Sequence, residues 1–225
     1  MPRLPDSLTT RTGRPVAFDF GSGPPLVLLP GMLCEASMFR SLLPALATQR
    51  RLIGLDWPGH AGRAVPPGPW RIESLVNDVM HTLDSLRLQR VELLGFSLGS
   101  MVAMRLALKQ PQRVGSLVLM SGSGGAEDGP RRARFSLLAG LARQIGVPGW
   151  MSAQAAAAMF SAAARRQLPE QVAQWRRGLE QMPAAAVANV VGMVARRDSV
   201  LPELARLPHR TLVISGELDG TTPPA

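Results

Sequence analysis

Few residues in this sequence support disulfide, metal or membrane chemistry. Cys34 is its single cysteine, which excludes an internal disulfide framework and a cysteine-cluster metal site. The apolar runs are much shorter than the ~20 residues that cross a bilayer, and residues 1–6 lack the apolar segment of a signal peptide. We therefore expect no metal, no membrane partner and a cytoplasmic location.

Tyrosine is absent and lysine is nearly so, because Lys109 is the only lysine among 25 basic residues. The formal net charge of +9 favours the attraction of anions. However, the arginines are scattered as pairs, and no basic run or nucleic-acid recognition motif accompanies them. We therefore expect no nucleic-acid partner, and a basic nucleic-acid binder is retained only as an alternative.

The order of apolar runs predicts an α/β protein of one domain with 225 residues. Strand-like runs alternate with amphipathic helical stretches, which is typical of a mostly parallel sheet covered by helices on both faces. The predicted strands are 26–30, 51–55, 91–95 and 114–120, and the predicted helices are 36–48, 74–88 and 98–109. Residues 16–20 and the turn 21–25 predict an antiparallel hairpin that leads into the sheet.

This alternation stops after residue 121. Residues 122–208 contain alanine-rich and arginine-rich stretches interrupted by prolines, which predicts four or five short helices. A strand-like run returns at 211–215. The sequence thus predicts a first part of the core at 1–121, a helical cap at 122–208, and an incomplete return to the core at 209–225.

A Gly-x-Ser-x-Gly motif, Gly95-Phe-Ser97-Leu-Gly99, lies where a predicted strand meets a predicted helix. A nucleophilic serine on a sharp strand-to-helix turn needs this spacing, because neighbouring backbone crowds both flanking positions. The start of the helix also favours developing negative charge. The motif predicts Ser97 as a nucleophile, and the alternative is an ordinary glycine-containing turn.

With this motif, the chain resembles the α/β-hydrolase superfamily, and within it bacterial enzymes that cleave esters and lactones. The turn Leu29-Pro-Gly-Met-Leu-Cys34 is similar to the turn after their first core strand. The segment Asp56-Trp-Pro-Gly-His60-Ala-Gly62 is similar to their Asp-x-Pro-Gly-His-Gly loop, although Ala61 replaces a glycine. The resemblance implies an α/β-hydrolase fold whose cap follows the sixth strand.

The resemblance also implies a chemistry and a set of site residues. The expected reaction is acyl-enzyme cleavage of a small-molecule carboxylic ester, lactone or thioester without a cofactor. The backbone N–H groups of Met32 and Leu98 are the expected oxyanion donors. Four residues are expected to shape the site, namely Gly31, Gly95, Gly99 and His60.

The expected catalytic acid is Asp219. Gly216-Glu-Leu-Asp219-Gly-Thr-Thr-Pro223 is similar to the family's Gly-x-x-Asp-x-x-x-Pro pattern, and Glu217 fits that spacing less well. Such an acid orients a histidine and stabilises its protonated form. The alternative for Asp219 is a simple Asp-Gly turn.

The family's catalytic histidine follows the acid, and no histidine follows Asp219 in this sequence. His209 is expected at the opposite edge of the sheet, His81 in the middle of a helix, and His60 in a shaping role. We therefore expect the last strand, the histidine loop and the closing helix to be absent. The sequence is interpreted as a fragment of a hydrolase, and the alternative is an inactive scaffold that binds a ligand or partner.

Overall fold

The computed structural model describes residues 13–222. Its six strands are β1 (Val16–Gly21), β2 (Pro25–Leu29), β3 (Arg51–Leu55), β4 (Val91–Phe96), β5 (Val114–Met120) and β6 (Arg210–Ile214). They form one sheet in the order β1-β3-β2-β4-β5-β6. Only β1 runs antiparallel to its neighbour, so the mostly parallel sheet expected from the sequence is confirmed.

The predicted hairpin at the start of the chain is wrong. Strand β3 lies between β1 and β2 and pairs with both of them. Gly21 and Gly23 both have positive φ. A Cβ on Gly21 would lie 2.5 Å from the Arg50 carbonyl oxygen, and a Cβ on Gly23 would lie 2.7 Å from the Gln49 carbonyl oxygen. The backbone that enters β3 therefore packs against this turn, which leaves no room for β1 and β2 to pair directly.

Helices cover both faces of the sheet. Alternate side chains of β2 and β3 point to opposite faces, so Val27 and Ile53 belong to one apolar cluster and Leu28 and Leu52 to the other. The helices before β5 are α1 (Leu43–Leu46), α2 (Ile72–Ser85) and α3 (Leu98–Lys109). The predicted helix 36–48 is divided into a short 3₁₀ helix at Ala36–Phe39 and α1.

Six helices separate β5 from β6, more than the four or five expected. They are α4 (Gly129–Ile145), α5 (Gly149–Met159), α6 (Ala162–Gln167), α7 (Pro169–Gln181), α8 (Ala184–Ala195) and α9 (Leu201–Leu204). We call residues 122–208 the helical insertion. Within residues 13–222 the helical insertion follows the fifth strand, whereas the resemblance to the family led us to expect it after the sixth strand.

The apolar helix α8 forms the centre of the insertion. Its residues from Ala186 to Ala195 are buried, and it packs along α4. The division of the chain at residues 121 and 208 stays a prediction.

Strand β6 forms one edge of the described sheet. Its apolar side chains Leu212, Val213 and Ile214 are exposed. Among the helices of residues 13–222, none combines the length and apolar character needed to cross a membrane. The predictions that rest on residues 1–6, namely the absence of a leader and a cytoplasmic location, lie outside the described residues.

Candidate active site

Ser97 occupies a strained turn between β4 and α3. Its φ of 51° and ψ of −109° are unusual for a residue other than glycine, and α3 begins at the next residue. The Ser97 N–H donates to the Met120 carbonyl at the end of β5, at 2.8 Å. This backbone hydrogen bond fixes the strained turn at the carboxyl ends of the parallel strands, where α/β proteins bind their ligands.

The glycines on either side of Ser97 are required by close backbone approach. A Cβ on Gly99 would lie 2.0 Å from the Leu29 carbonyl oxygen, and one on Gly95 would lie 2.4 Å from the Gly99 carbonyl carbon. The end of β2 and the first turn of α3 therefore press against the serine turn. Any larger residue at these positions would displace the backbone that carries Ser97.

The turn after β2 packs against the serine turn. The Cys34 N–H donates to the Gly31 carbonyl at 3.3 Å, and Leu33 has a φ of 60°. A Cβ on Gly31 would lie 2.9 Å from the ring of Phe96, the residue before Ser97. The backbone of this turn is therefore held close to Ser97.

The two N–H groups expected to bind an oxyanion are free of protein acceptors. Within residues 13–222, neither the Met32 N–H nor the Leu98 N–H donates a hydrogen bond to a protein group. Leu98 is the first residue of α3, where the helix leaves its N–H groups unpaired and carries partial positive charge. The two donors are therefore available to a ligand beside Ser97.

Two tryptophans, which the sequence analysis did not select, fix the turn after β2. The buried Trp57 donates its indole N–H to the Pro30 carbonyl at 3.1 Å, and Trp175 of α7 donates its indole N–H to the Leu33 carbonyl at 3.1 Å. Trp57 lies within the segment Asp56–Gly62, which resembles a family loop, so the sequence could have indicated its importance. Trp175 lies 142 residues from Leu33, and no local pattern indicates that contact.

Ser100 is a second residue that the sequence analysis missed. Its fully buried hydroxyl donates to the Gly95 carbonyl at 2.7 Å and lies 3.1 Å from the Met120 carbonyl oxygen. It thereby ties the first turn of α3 to the ends of β4 and β5. A serine on the buried face of an apolar helix is the signal that would have indicated this role.

Asp219 lies in the loop after β6 and is held as a carboxylate. Its Oδ1 accepts from the N–H groups of Thr221 and Thr222, each at 2.9 Å, and its Oδ2 accepts from the Thr222 hydroxyl at 2.9 Å. Burial by itself raises the pKa of this carboxyl, but hydrogen bonds from Thr222, Ser121 and Thr221 together lower the pKa below its ordinary value. Pro223 of the family pattern lies outside the described residues.

The topology brings Asp219 and Ser97 to the same edge of the sheet. Ser97 follows β4, Asp219 follows β6, and β5 lies between these strands. The Thr222 hydroxyl oxygen of the acid loop also lies 2.9 Å from the Ser121 carbonyl oxygen just after β5. Two strand spacings of ~4.8 Å place the two loops roughly 10 Å apart. An imidazole with a hydrogen bond of about 2.9 Å at each nitrogen spans about 8 Å, so it fits between side chains that extend from these loops.

None of the chain's three histidines is joined by a hydrogen bond to Ser97 or Asp219 in the described structure. His209 bonds the Pro111 carbonyl through Nε2 at 2.9 Å, at the amino ends of the strands and opposite Ser97. His81 is exposed on α2. These two placements agree with the expectations from the sequence.

His60 is almost fully buried in the loop after β3. Its Nδ1 lies 3.1 Å from the Pro58 carbonyl oxygen, and its Nε2 has no hydrogen-bond partner in the described residues. Burial lowers the pKa of His60 to about 4, so its ring is neutral at pH 7. The neighbouring Asp56 accepts the Ala36 N–H at 2.7 Å, and burial raises its pKa to about 6.

Cys34 lies next to the proposed oxyanion turn but is a poor nucleophile. Burial raises the pKa of its thiol to about 11, so little thiolate forms at neutral pH. Within residues 13–222, no three His, Cys, Asp or Glu side chains form a cluster that could hold a metal ion.

A cavity of about 540 Å³ lies between the turn after β2, the acid loop and the helical insertion. Met32 and Leu33 line it from the core side, and Gly220 and Thr221 line it from the acid loop. Apolar residues of the helical insertion, among them Leu138, Met151 and Met159, line the rest of this cavity. Phe160, Met182 and Met193 do not, since Phe160 stacks on Trp175 and Met193 is buried in the core.

Comparison with known proteins identifies the family. The family model for the alpha/beta hydrolase fold matches residues 24–225. The chain is 31% identical to a pimeloyl-[acyl-carrier protein] methyl ester esterase of Aeromonas hydrophila, over 92% of this chain and 81% of that protein. It is 27% identical to 3-oxoadipate enol-lactonase 2 of Acinetobacter baylyi, over 95% of this chain and 80% of that protein. The chain belongs to the α/β-hydrolase family.

Solved structures agree with this assignment. A hydrolase from Pseudomonas aeruginosa superposes with a TM-score of 0.85 at 29% identity, over 92% of this chain and 77% of that one. A thermophilic esterase from Thermogutta terrifontis superposes with a TM-score of 0.86 at 25% identity, over 92% of this chain and 76% of that one. The α/β-hydrolase fold expected from the sequence is therefore confirmed.

Proposed function

We propose that the protein is a serine hydrolase that cleaves a carboxylic ester, lactone or thioester through an acyl-enzyme. The observation that carries this proposal is the strained backbone of Ser97 together with the N–H groups of Met32 and Leu98, which have no protein acceptor within residues 13–222. Relatives matched over about four fifths of their length are named as a methyl ester esterase and an enol-lactonase, which supports the same class of reaction.

The proposed reaction begins when Ser97 Oγ attacks the substrate carbonyl carbon while a base removes the hydroxyl proton. The carbonyl oxygen becomes an oxyanion that accepts hydrogen bonds from the Met32 and Leu98 N–H groups. Collapse of this intermediate releases the alcohol or thiol, which takes up the proton from the base. Water then attacks the acyl-Ser97 ester by the same route and releases the acid.

The base is a histidine that the three histidines of this chain do not supply. Asp219 is the proposed orienting acid, because its carboxylate is ionised and lies two strands from Ser97. An imidazole between them would donate to Asp219 and accept from Ser97. The buried His60 and the distant His209 lack both hydrogen bonds in the described structure.

The substrate is proposed to be largely apolar with an acyl chain of modest size. The cavity of about 540 Å³ is lined mainly by apolar side chains of α4, α5 and α8. Arg131 and Arg134 of α4 add positive charge to its wall, and Arg131 also donates to the Thr221 carbonyl at 2.8 Å. We propose that the helical insertion acts as a lid over this cavity, and that these arginines favour substrates with a negative group.

The proposal is tested with a fluorophosphonate probe, which labels activated serines covalently. We expect one label per chain in the wild type and none in Ser97→Ala, with Ser123→Ala as the matched control that keeps the label. Labelling that survives in Ser97→Ala would overturn the assignment of the nucleophile.

The assignment of the base has its own test, which uses free imidazole. We expect the 225-residue chain to label slowly, and added imidazole to accelerate labelling in the wild type but not in Ser97→Ala. Rapid labelling without imidazole that is lost in a folded His60→Asn variant would instead identify His60 as the base.

A catalytically inactive scaffold is the second candidate function. It is favoured by one observation, that no hydrogen bond in residues 13–222 joins a histidine to Ser97 or Asp219. A folded sample that remains unlabelled with and without imidazole would support this scaffold, which binds a ligand or partner without cleaving it.

A further inference from the structure

A second cavity, of about 330 Å³, lies outside the proposed active site. It is formed where the start of α2, the middle of α3, α4 and the end of α8 meet. Neither Ser97 nor Asp219 lines it. The residues that line it are Pro69, Trp70, Arg71, Ile72, Glu73, Arg105, Arg132, Met193, Arg196, Arg197 and Asp198. Five arginines and two acids therefore surround this space.

Carboxylates pair with two of these five arginines, so three remain without a counter-charge among the described residues. Arg105 lies 3.3 Å from Glu73, and Arg197 forms a buried pair with Glu127 at 2.5 Å. Among the described residues, the guanidinium groups of Arg71, Arg132 and Arg196 have no carboxylate within ion-pair distance. Three positive groups from three different elements thus face one cavity without a counter-charge.

Arg105 places a buried guanidinium in the wall of this cavity, and its Nε lies 3.3 Å from Glu73 Oε1. Its side chain is only 7% exposed on the apolar helix α3. Two of its nitrogens donate to the carbonyls of Met101 and Asp198, but its Nε has no hydrogen-bond partner in the described structure, since the Glu73 carboxylate lies outside hydrogen-bond geometry. A buried donor without an acceptor is costly, and an anion in the cavity supplies that acceptor.

The start of α2 adds to this arrangement. Helix α2 has 14 residues, and its first turn lines the cavity at Ile72 and Glu73. The Ser74 hydroxyl accepts the Arg71 N–H at 3.5 Å, whereas the N–H groups of Ile72 and Glu73 have no acceptor among the described residues. Unpaired N–H groups at a helix start bind phosphate readily, and planar guanidinium groups bind its oxygens in pairs. A phosphate group therefore satisfies the helix start and the arginines together.

We propose that this cavity binds a phosphorylated small molecule, with its phosphate groups held by Arg71, Arg132 and Arg196 beside the buried Arg105. The charge excess favours a multivalent anion over a monocarboxylate, which would occupy one guanidinium and leave the others unpaired. The proposal does not depend on the proposed hydrolase activity, because the two sites share no residue.

Binding is tested on the full chain with inorganic pyrophosphate and inorganic phosphate, by calorimetry and by thermal unfolding. We expect pyrophosphate to bind and to raise Tm above the value in sodium chloride of equal ionic strength. Arg71→Ala and Arg196→Ala are each expected to weaken binding about tenfold or more. Both side chains are exposed, so these variants should fold.

The matched control is Arg166→Ala, which removes an exposed arginine of α6 far from this cavity in the fold and should leave the affinity unchanged. Equal stabilisation by sodium chloride, or unchanged affinity in the Arg71 and Arg196 variants, overturns the site. Binding of citrate without binding of pyrophosphate overturns the assignment to phosphate. Fluorophosphonate labelling of Ser97, measured in the same samples, reports the proposed activity separately.

Discussion

The indole N–H of Trp175 donates a hydrogen bond to the carbonyl of Leu33 at 3.1 Å. Leu33 has a strained positive φ in the turn whose Met32 N–H is a proposed oxyanion donor. Trp175 belongs to α7 of the helical insertion, so one hydrogen bond connects the insertion to the backbone of the proposed catalytic turn. Any shift of α7 is therefore expected to alter the position of that backbone.

Trp175→Phe is expected to slow catalysis by about tenfold, because the turn loses a fixed contact while the direct oxyanion donors remain. Trp175 does not line the cavity of about 540 Å³, so KM should change little while kcat falls. The ring contact with Phe160, with centroids 5.5 Å apart, is retained in the variant. Steady-state hydrolysis of a p-nitrophenyl ester, with added imidazole as the base, measures both parameters. The control is Trp150→Phe, because Trp150 is exposed. A change in KM alone would contradict the proposed role of Trp175 in positioning the turn after β2.

Gly99→Ala is expected to lower the free energy of unfolding by about 3 kcal/mol or more, because its Cβ would overlap backbone rather than a movable side chain. The overlap is with the Leu29 carbonyl oxygen, 2.0 Å from the Cβ position. Gly178→Ala in α7 is the matched control, since no atom lies within 4 Å of its Cβ position. That variant should gain up to about 1 kcal/mol from helix propensity. Urea unfolding of both variants provides the measurement, and equal stabilities would contradict the close approach.

Asp56 and His60 are expected to give opposite pH dependence to the stability of the fold. Burial raises the pKa of Asp56 from 3.8 to about 6. Its contribution to the free energy of unfolding is therefore fully present below pH 3.8 and is lost as pH rises through 6. Burial lowers the pKa of His60 from 6.5 to about 4, so its contribution is present above pH 6.5 and is lost as pH falls through 4. Each shift corresponds to about 3 kcal/mol, and the two largely offset each other.

Single variants separate these two contributions. Between pH 6.5 and 4, Asp56→Asn should lose about 3 kcal/mol relative to the wild type as pH falls, and His60→Asn should gain about 3 kcal/mol. Denaturant unfolding at several pH values measures both differences. Stability curves that run parallel to the wild type would show that the two side chains are solvated in solution.

Cys34 is expected to react slowly with thiol reagents in the folded protein. With a pKa of about 11, its thiolate fraction at pH 8 is about one in a thousand. The reaction with a chromogenic disulfide should accelerate strongly in denaturant, and the unfolded chain is its own control. Cys34→Ser should keep the fluorophosphonate label on Ser97. Equal thiol rates in folded and unfolded samples would contradict burial of the thiol.

The serine turn was predictable from the sequence because its constraints are local. Gly95, Ser97 and Gly99 are close in the chain, and the steric reason for their spacing acts within one strand-to-helix turn. The alternation of apolar runs likewise predicted the parallel sheet, since each run reports how its own segment is buried. The position of Asp219 after the last strand followed from the resemblance to the family.

The sequence by itself thus determined the class of fold, the strained serine turn and the edge of the sheet at which its partners meet. Only the tertiary structure decided that β3 separates β1 from β2, that Trp175 bonds Leu33 across 142 residues, and that arginines from α2, α3 and α8 surround one cavity. These relationships join segments that are distant in sequence. They depend on how whole elements pack, and no local periodicity or motif records that packing.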